Sequence, residues 1–270
     1  MLRQPAVSGR FYPSQPGELA QLVRELSAPP EDRLVRRKEV RACLVPHAGY
    51  MFSGHVAGAV YSRIALPRNI VILGVRHQPR GAPIAIVSNG AWRTPLGDAP
   101  IHSGLAAEFR NESPLFREDE VAHLAEHSLE VQLPFLQVLR PQFTFVPIAV
   151  GTVRYEDLTA LGAAVARVLA GHSDVLLLTT SDLNHYEDDA TTRRKDHKAI
   201  ERLLALDPRG LFDVCRSQEI SMCGLGPAVV MLTALNALQC SRTELVRYAT
   251  SADVSMDREV VVGYAGMLFS

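Results

Sequence analysis

The sequence has few of the features that mark exported, membrane or nucleic-acid-binding proteins. Its four cysteines form no CxxC pair, so neither a disulfide framework nor a closed cysteine zinc site is predicted. No apolar run approaches the roughly 18 residues that a membrane-spanning helix needs. The net charge is -1, and no basic face with interleaved aromatic residues is visible, which argues against nucleic-acid binding.

The remaining composition is that of an ordinary globular domain, 47% hydrophobic and 21% charged. The 270 residues show no repeat, low-complexity segment or Gly/Ser linker, so a single domain over residues 1–270 is predicted. Residues 1–13 lack the apolar core of a secretory signal, and we therefore expect a cytoplasmic protein with reduced thiols. The Pro29-Pro30 pair and the basic cluster at residues 33–41 are interpreted as a solvated connection inside this domain.

Short apolar runs that end in polar or glycine-bearing turns predict the strands, and segments with helical periodicity lie between them. The strand candidates are residues 41–46, 69–75, 83–87, 144–150, 174–180 and 259–269. The helix candidates are residues 16–26, 54–64, 103–110, 128–139, 155–169, 192–206 and 226–238. Their alternation predicts an α/β fold with a central mixed, largely parallel sheet flanked by helices.

Histidines follow three of the strand candidates almost immediately. His47, His77 and His185 each lie just beyond a predicted strand, and Asp182 lies in the last of these turns. Ligands of open α/β sheets collect at the carboxyl ends of the strands, so these side chains can meet in one crevice. His127 directly precedes a helix candidate. A lone histidine is more often a plain structural residue, but three with the same placement favour a functional site.

Cys223 precedes a glycine and the apolar helix candidate at residues 226–238. The exposed amides and the dipole of a helix N-terminus favour the thiolate, which is the form that ligates metals or attacks electrophiles. The alternative is a buried structural cysteine, the usual environment of a free thiol. Cys43, Cys215 and Cys240 are interpreted as plain core or surface residues.

Neutral imidazoles together with a thiolate suit zinc, copper or iron better than magnesium or calcium. Two histidines and one anionic ligand leave coordination positions open, as in a reactive site rather than a closed structural one. His185 and Asp182 would then support the ligands or act as acid–base groups, since imidazole can move protons near neutral pH.

Several short motifs, spread in order over nearly the whole chain, resemble those of the Memo family. Each is weak alone, and their combination carries the resemblance. They are VPHAGY at residues 45–50 followed by Ser53-Gly54, GRFYP at 9–13, TPLG at 94–97, EHSLEVQLPF at 126–135, SD and HY within 181–186, and CG and GP within 223–227.

The resemblance implies one α/β domain related in fold to the class III extradiol dioxygenases, the LigB-like proteins. Those enzymes hold Fe(II) with two histidines and a glutamate. Memo proteins have two histidines and a cysteine in the corresponding pocket, which here would be His47, His77 and Cys223. Asp182 and His185 would line the pocket as catalytic groups, with His185 at the position of the dioxygenase base. The cofactor that the family implies is Fe(II) or copper.

The resemblance also implies partners. Bacterial members are known as AmmeMemoRadiSam system protein B, which points to an AMMECR-type protein and a radical SAM protein. The animal member is described as binding copper and taking part in redox chemistry and cell-motility signalling. The family names no reaction, so the expected substrate is a small molecule of unknown identity.

One motif departs from the family pattern. Where the family reads Gly-Pro-x-His, residues 74–77 read GVRH. Loss of the proline frees the backbone of this turn, and Arg76 brings a fixed positive charge near the proposed site. Arg76 is predicted to bind an anionic substrate together with His127. The alternatives are that Arg76 repels a cation or points into solvent.

The main hypothesis is a metal-dependent oxidoreductase with Fe(II) or copper on His47, His77 and Cys223. The alternative is a non-catalytic metabolite- or protein-binding module on the same fold, because fold alone does not establish activity. A third hypothesis makes Cys223 a nucleophile with a histidine base, but it leaves the other histidines without a role. No HExxH segment supports a zinc hydrolase.

Overall fold

The computed structural model describes residues 1–28 and 37–270, and within them strands alternate with helices. The helices are α1 (Pro16–Leu26), α2 (Tyr50–Tyr61), α3 (Ser103–Glu112), α4 (Leu133–Leu139), α5 (Tyr155–Ala170), α6 (Asp189–Leu204), α7 (Pro208–Ser217), α8 (Leu225–Ala237) and α9 (Ala252–Ser255). The strands are β1 (Leu2–Arg3), β2 (Ala42–Val45), β3 (Asn69–Val75), β4 (Ile84–Ile86), β5 (Ala91–Thr94), β6 (Gly97–Pro100), β7 (Arg117–Glu118), β8 (Thr144–Val150), β9 (Val175–Thr180), β10 (His185–Glu187), β11 (Thr243–Thr250) and β12 (Val261–Phe269). The Pro29-Pro30 pair and residues 33–36 of the basic cluster lie outside the described residues.

The centre of the main sheet is parallel. The strands β2, β9, β3 and β8 lie side by side in that order and run in the same direction. Antiparallel strands extend the sheet on both sides. On one side β12 pairs with β2, and β10 and β11 pair with β12. On the other side β4 pairs with β8, and β7 pairs with β4 in parallel. A separate small sheet contains β1, β5 and β6. The predicted mixed sheet flanked by helices is confirmed, with parallel pairing concentrated at its centre.

Helices cover both faces of this parallel centre, which explains its uninterrupted apolar strands. Successive residues of β9 point to opposite faces: Leu177 packs into the core that α5 and α8 share, whereas Leu176 and Leu178 pack into the core beneath α1, α2 and α4. All three side chains are fully buried. Since full burial of one leucine contributes roughly 1.5–3 kcal/mol, these two cores fix the strands that lead to the site.

The largest differences from the predicted helix bounds lie at the starts of two helices. The helix α2 begins at Tyr50 rather than at residue 54. The helix predicted at residues 128–139 is shorter, because Glu130–Gln132 form a single 3-10 turn and α4 begins only at Leu133. Pro134 accounts for the late start, since proline lacks an N–H and is tolerated in the first turn of a helix but not in its interior.

Eight elements were not predicted, and they are α7, α9, β1, β5, β6, β7, β10 and β11. The strand β11 lies at an edge, and residues such as Glu244 and Arg247 leave it without a continuous apolar run. The helix α7 buries only Leu211 and Cys215 of its ten residues. Both elements are half-exposed, which weakens the hydrophobic periodicity from which secondary structure is predicted.

None of the helices in the described part of the chain combines the length and apolar character needed to cross a membrane.

A buried ion pair attaches the start of the chain to the segment that leads into α4. Arg3 Nη1 donates to Glu130 Oε2 at 2.8 Å, and both side chains are fully buried. Glu130 also accepts the hydroxyl of Tyr12 at 2.6 Å and the backbone N–H groups of Ala6 and Val7. A buried charge pair is tolerated when such further hydrogen bonds satisfy it. The chain between Arg3 and Tyr12 is therefore fixed against the body of the domain.

A second buried carboxylate lies between α6 and β12. Asp196 is fully buried; its Oδ1 accepts the N–H of Asn184 at 2.8 Å and its Oδ2 accepts the hydroxyl of Tyr248 at 2.7 Å. Burial raises the pKa of this carboxyl from 3.8 to about 7, although both hydrogen bonds lower it. The folded state therefore binds this proton more tightly than the unfolded chain does, and stability falls as the pH rises from about 4 to about 7.

At about pH 8, we expect the free energy of unfolding of Asp196→Asn to be roughly 1–3 kcal/mol higher than that of the wild type. The amide can still accept from Asn184 and can donate to Tyr248, but it carries no charge. The difference should shrink towards about pH 4, where the carboxyl becomes protonated in both states. Urea unfolding of the two proteins across this pH range measures it, and a difference that stays constant with pH would contradict the expectation.

Candidate functional site

Adjacent strands deliver the candidate residues to one edge of the sheet. Because β2, β9 and β3 are neighbours and parallel, with Val45 opposite Thr180, their carboxyl ends lie side by side. His47 follows β2, Asp182 follows β9 and His77 follows β3. The structure brings these side chains to a single cavity, as the strand-end pattern predicts.

His47 lies at the base of this cavity and is almost completely buried. Its N–H donates to Asp182 Oδ1 at 2.8 Å, and its Nδ1 lies 2.6 Å from Thr180 Oγ1. Its Nε2 lies 3.1 Å from Cys223 Sγ. Burial, reinforced by the neighbouring histidines, lowers the pKa of His47 well below its usual value. The ring is therefore neutral near pH 7 and keeps one nitrogen lone pair for a ligand.

His77 is held by a carboxylate that the sequence analysis did not single out. Its Nδ1 lies 2.9 Å from Glu126 Oε1, and its backbone N–H donates to Glu126 Oε2 at 2.8 Å. Burial alone raises the pKa of Glu126, but the hydrogen bonds from His77 and Ser128 bring it down to about 2. Glu126 is thus ionised although it is buried. The available signal was its place directly before His127 in the EHSLEVQLPF motif.

His127 lies nearly parallel to His77, with ring centroids 4.5 Å apart and ring planes 20° apart. The ring of Phe11 packs against His127 at a centroid distance of 4.8 Å. Burial lowers the pKa of His127 to about 4, so this imidazole is also neutral near pH 7. Arg10 and Phe11 line the cavity. Neither had been predicted as a site residue, and only the GRFYP motif pointed towards them.

Cys223 reaches the cavity from the loop before α8. A Cβ at Gly224 would lie 2.4 Å from the side chain of Ser181, so the loop can approach β9 this closely only with glycine there. The N–H of Asp182 donates to Cys223 Sγ at 3.3 Å. Burial raises the pKa of the Cys223 thiol, and the charge of Asp182 raises it further. The prediction that the helix N-terminus favours a thiolate is therefore wrong for the protein alone, because burial outweighs the dipole.

Asp182 and His185, the predicted catalytic groups, both line the cavity. Burial raises the pKa of Asp182 to about 6, although N–H groups of His47 and Ala48 bond to its carboxylate. The N–H of His185 donates to Ser221 Oγ at 2.8 Å, and its Nδ1 lies 3.0 Å from the Ser221 carbonyl oxygen. Burial lowers the pKa of His185. Asp182 can therefore exchange a proton with a bound molecule near neutral pH, whereas His185 can accept one.

The cavity has a volume of about 820 Å³, which is enough for a small organic molecule. Its polar lining includes the histidines, Asp182, Cys223, Arg10 and Asp257, and its apolar lining includes Phe52, Val262 and Tyr264. A molecule bound here would meet both polar groups and apolar surface, which is the usual composition of a small-molecule site.

Arg76 does not reach this cavity. Its Nη1 donates to the Gly81 carbonyl at 2.7 Å, and its guanidinium lies against Gly151, where an added Cβ would lie 2.2 Å from Nε. Arg76 lines a separate cavity of about 210 Å³ that also borders Cys223. The structure thus separates Arg76 from His127, with which it was predicted to bind substrate, and the Gly81 carbonyl and Gly151 determine this direction.

Two overlapping sets of donor atoms are close enough to hold one ion. The donor atoms of His47, His77 and His127 all lie within 4.8 Å of one another, and so do those of His47, Asp182 and Cys223. His47 belongs to both sets. The ligand set implied by the family resemblance, His47, His77 and Cys223, takes members from each and stays a prediction.

Comparisons with known proteins agree over the whole chain. A family model described as Memo-like protein matches residues 3–268. A MEMO1 family protein of Methanopyrus kandleri is 38% identical over 100% of this chain and 99% of its own. A MEMO1 family protein of Aquifex aeolicus is 39% identical over 99% of each chain. The crystal structure of an uncharacterized protein from Escherichia coli matches with a TM-score of 0.53 and 12% identity, over 83% of this chain and 99% of that one, and this likeness shows the fold alone.

We expect iodoacetamide to alkylate Cys223 at least about tenfold more slowly than a free cysteine at the same pH. The reason is that the thiolate is the reactive form and burial raises the pKa of this thiol. Cys240, which is half-buried and in which the charge of Arg41 opposes the rise in pKa caused by burial, should be modified first. Mass spectrometry of native protein gives the order, and urea-denatured protein, in which all four cysteines should react, is the control. Rapid modification of Cys223 would instead support its role as a nucleophile.

Proposed function

This chain belongs to the Memo-like protein family, and on that premise we propose that its cavity binds one redox-active transition metal, Fe(II) or copper, and uses it on a small organic substrate. The main support is the meeting of His47, His77 and Cys223 at one cavity although they lie far apart in the sequence. No other part of the described chain gathers soft donor atoms so densely around a cavity.

The donor set fits such a metal. The Nδ1 atoms of His47 and His77 are both engaged with protein groups, a hydroxyl in one case and a carboxylate in the other. The Nε2 atom of each ring is therefore the one left for a cation. Neutral imidazoles and a sulfur suit iron, copper or zinc, whereas magnesium and calcium prefer oxygen ligands. The proton of the Cys223 thiol would leave when the cation binds.

The metal, when bound, would supply electron transfer or activation of a substrate towards oxidation. The side chains supply the proton movements. His185 is neutral near pH 7 because burial lowers its pKa, and its Nδ1 is occupied by the Ser221 carbonyl, so Nε2 is the atom that accepts a proton from the substrate. Asp182, with a pKa raised to about 6, can accept or donate a second proton near neutral pH, and the proton taken up by His185 leaves from the same Nε2 atom.

The walls would orient the substrate. His127 and Phe11 pack against each other at the cavity, and the neutral imidazole of His127 can donate or accept one hydrogen bond. Phe52 and Tyr264 would contact the apolar part of the molecule. Arg76 is not part of this proposal, because its guanidinium is bound to the Gly81 carbonyl outside the cavity.

A non-catalytic binding module is the second candidate. The size of the cavity and its apolar wall would serve a metabolite or a protein side chain equally well without a metal. A thermal-shift screen of metabolites, repeated with and without metal, separates the two candidates. A ligand that stabilises the protein equally under both conditions would favour the binding module. The association with an AMMECR-type protein and a radical SAM protein, and a cytoplasmic location, are proposed on family resemblance.

We expect the wild type, handled anaerobically under reducing conditions, to take up close to one equivalent of Fe(II) or Cu(I). His47→Ala and Cys223→Ala should each bind at least about tenfold more weakly, since losing even a supporting group costs that much. Metal analysis after gel filtration measures the uptake. Cys240→Ala, which changes a half-buried cysteine outside the cavity, is the matched control.

Equal uptake by Cys223→Ala and the wild type would remove the thiol from the ligand set. Failure of the wild type to take up either metal would contradict the proposal and favour the binding module. Circular dichroism of each variant shows whether it folds, so that a loss of binding can be assigned to the missing ligand.

A further inference from the structure

Glu126 contacts His77 at two points. Its Oε1 lies 2.9 Å from the ring Nδ1, and its Oε2 accepts the backbone N–H of the same residue at 2.8 Å. Oε1 also accepts the N–H of Ser128 at 2.8 Å. A carboxylate accepts hydrogen bonds and donates none, so the His77 ring must carry its proton on Nδ1. One side chain thus fixes both the backbone and the ring of His77.

The stacking of His77 on His127 restrains the ring further. With centroids 4.5 Å apart and planes 20° apart, the neighbouring ring limits tilting of His77. The contact with Glu126 decides which edge of the ring faces the protein. A half-turn of the ring would replace the Nδ1–H donor by a C–H group opposite a buried charge, which costs free energy.

The backbone around Glu126 is held from two sides. The carbonyl oxygen of Glu126 accepts Arg3 Nη2 at 2.7 Å, and Arg3 is paired with the buried Glu130. Ser128 Oγ accepts the N–H of Val75 and donates to its carbonyl oxygen, each at 3.1 Å. Residues 126–128 are therefore attached to Val75, the last residue of β3, which lies two residues before His77. This attachment keeps Glu126 within hydrogen-bond distance of His77.

The imidazole of His47, which is buried, has a different partner. His47 Nδ1 contacts the neutral hydroxyl of Thr180 at 2.6 Å, and a hydroxyl can either donate or accept. The Cys223 thiol, 3.1 Å from His47 Nε2, can also donate or accept, so neither partner fixes the position of the His47 proton, whereas Glu126 leaves His77 no such choice. His47 and His77 therefore differ in how strictly their hydrogen-bond partners fix the position of the ring proton.

We propose that Glu126 is a positioning residue that holds His77 in the Nδ1–H form with Nε2 directed to the cavity, so that one imidazole ligand is already formed before a cation arrives. Carboxylate partners of ligating histidines fix the tautomer and raise the basicity of the other nitrogen. The effect on the tautomer stands on the hydrogen bonds alone. The effect on metal affinity also rests on the proposed function.

The tautomer can be measured in the wild-type protein without any metal. Long-range ¹⁵N–¹H NMR of labelled protein distinguishes a protonated from an unprotonated ring nitrogen. We expect the His77 signals, assigned by their loss in His77→Ala, to show a single form with the proton on Nδ1. A predominant Nε2–H form would overturn the proposal, whether or not any variant folds.

Glu126→Gln tests the consequence for binding, with Zn²⁺ as a redox-inert probe titrated by calorimetry. We expect the affinity for Zn²⁺ to fall by about 10–100-fold and the Nε2–H form of His77 to become populated. Asp196→Asn is the matched control, because it makes the same carboxylate-to-amide change at a buried site that does not contact His77. It should leave both the affinity and the His77 signals unchanged.

A role in folding alone would give a different result. If Glu126 acts through His77, the Glu126→Gln change should have no further effect on Zn²⁺ affinity in a His77→Ala background. An equal loss in both backgrounds would overturn the positioning role. If the wild type shows the Nδ1–H form but binds neither Zn²⁺ nor Fe(II), the proposed function fails while the positioning of His77 by Glu126 stands.

Discussion

The candidate site depends on the register of three parallel strands. Thr180 of β9 lies opposite Val45 of β2, and Leu73 of β3 lies opposite Thr179. Because all three strands run in the same direction, the residues that follow them emerge at one edge, and His47 enters the cavity from there. A shift of one residue would turn each buried side chain to the opposite face, so the two apolar cores that fix the register also fix the site.

Burial sets the chemical state of the side chains that converge there. It lowers the pKa of His47 and His127 and raises the pKa of Cys223, so these groups are neutral when no cation is near. A neutral donor set lets the fold bring them together without a large electrostatic penalty. Glu126 is ionised, and its charge is compensated by the backbone N–H groups of His77 and Ser128 and by the nearby His77 ring. The structure thus places the charge of Glu126 against His77 and leaves His47, His127 and Cys223 uncharged.

The first residues of the chain take part in this arrangement. Arg3 joins Glu130 and the carbonyl of Glu126, and the segment that it anchors brings Phe11 against His127. The N-terminal segment is therefore a wall of the cavity and, through Arg3, a support of the carboxylate behind His77. The hydrogen bonds around Glu130 and those around Glu126 thus share the buried guanidinium of Arg3, whose donors have a fixed geometry.

Local sequence patterns determined much of this protein. Buried strands read as continuous apolar runs, so residues 69–75 and 144–150 were predicted with the bounds they have in the structure, and the strand-end histidines followed from the same pattern. The directions of side chains depend on residues that are remote in the chain, and only the tertiary structure decided them. Arg76 turns away because Gly151 leaves room for it, and His77 is fixed because Glu126 is folded back onto it. Periodicity reports burial of the backbone segment, whereas hydrogen-bond partners and desolvation arise only when distant segments pack together.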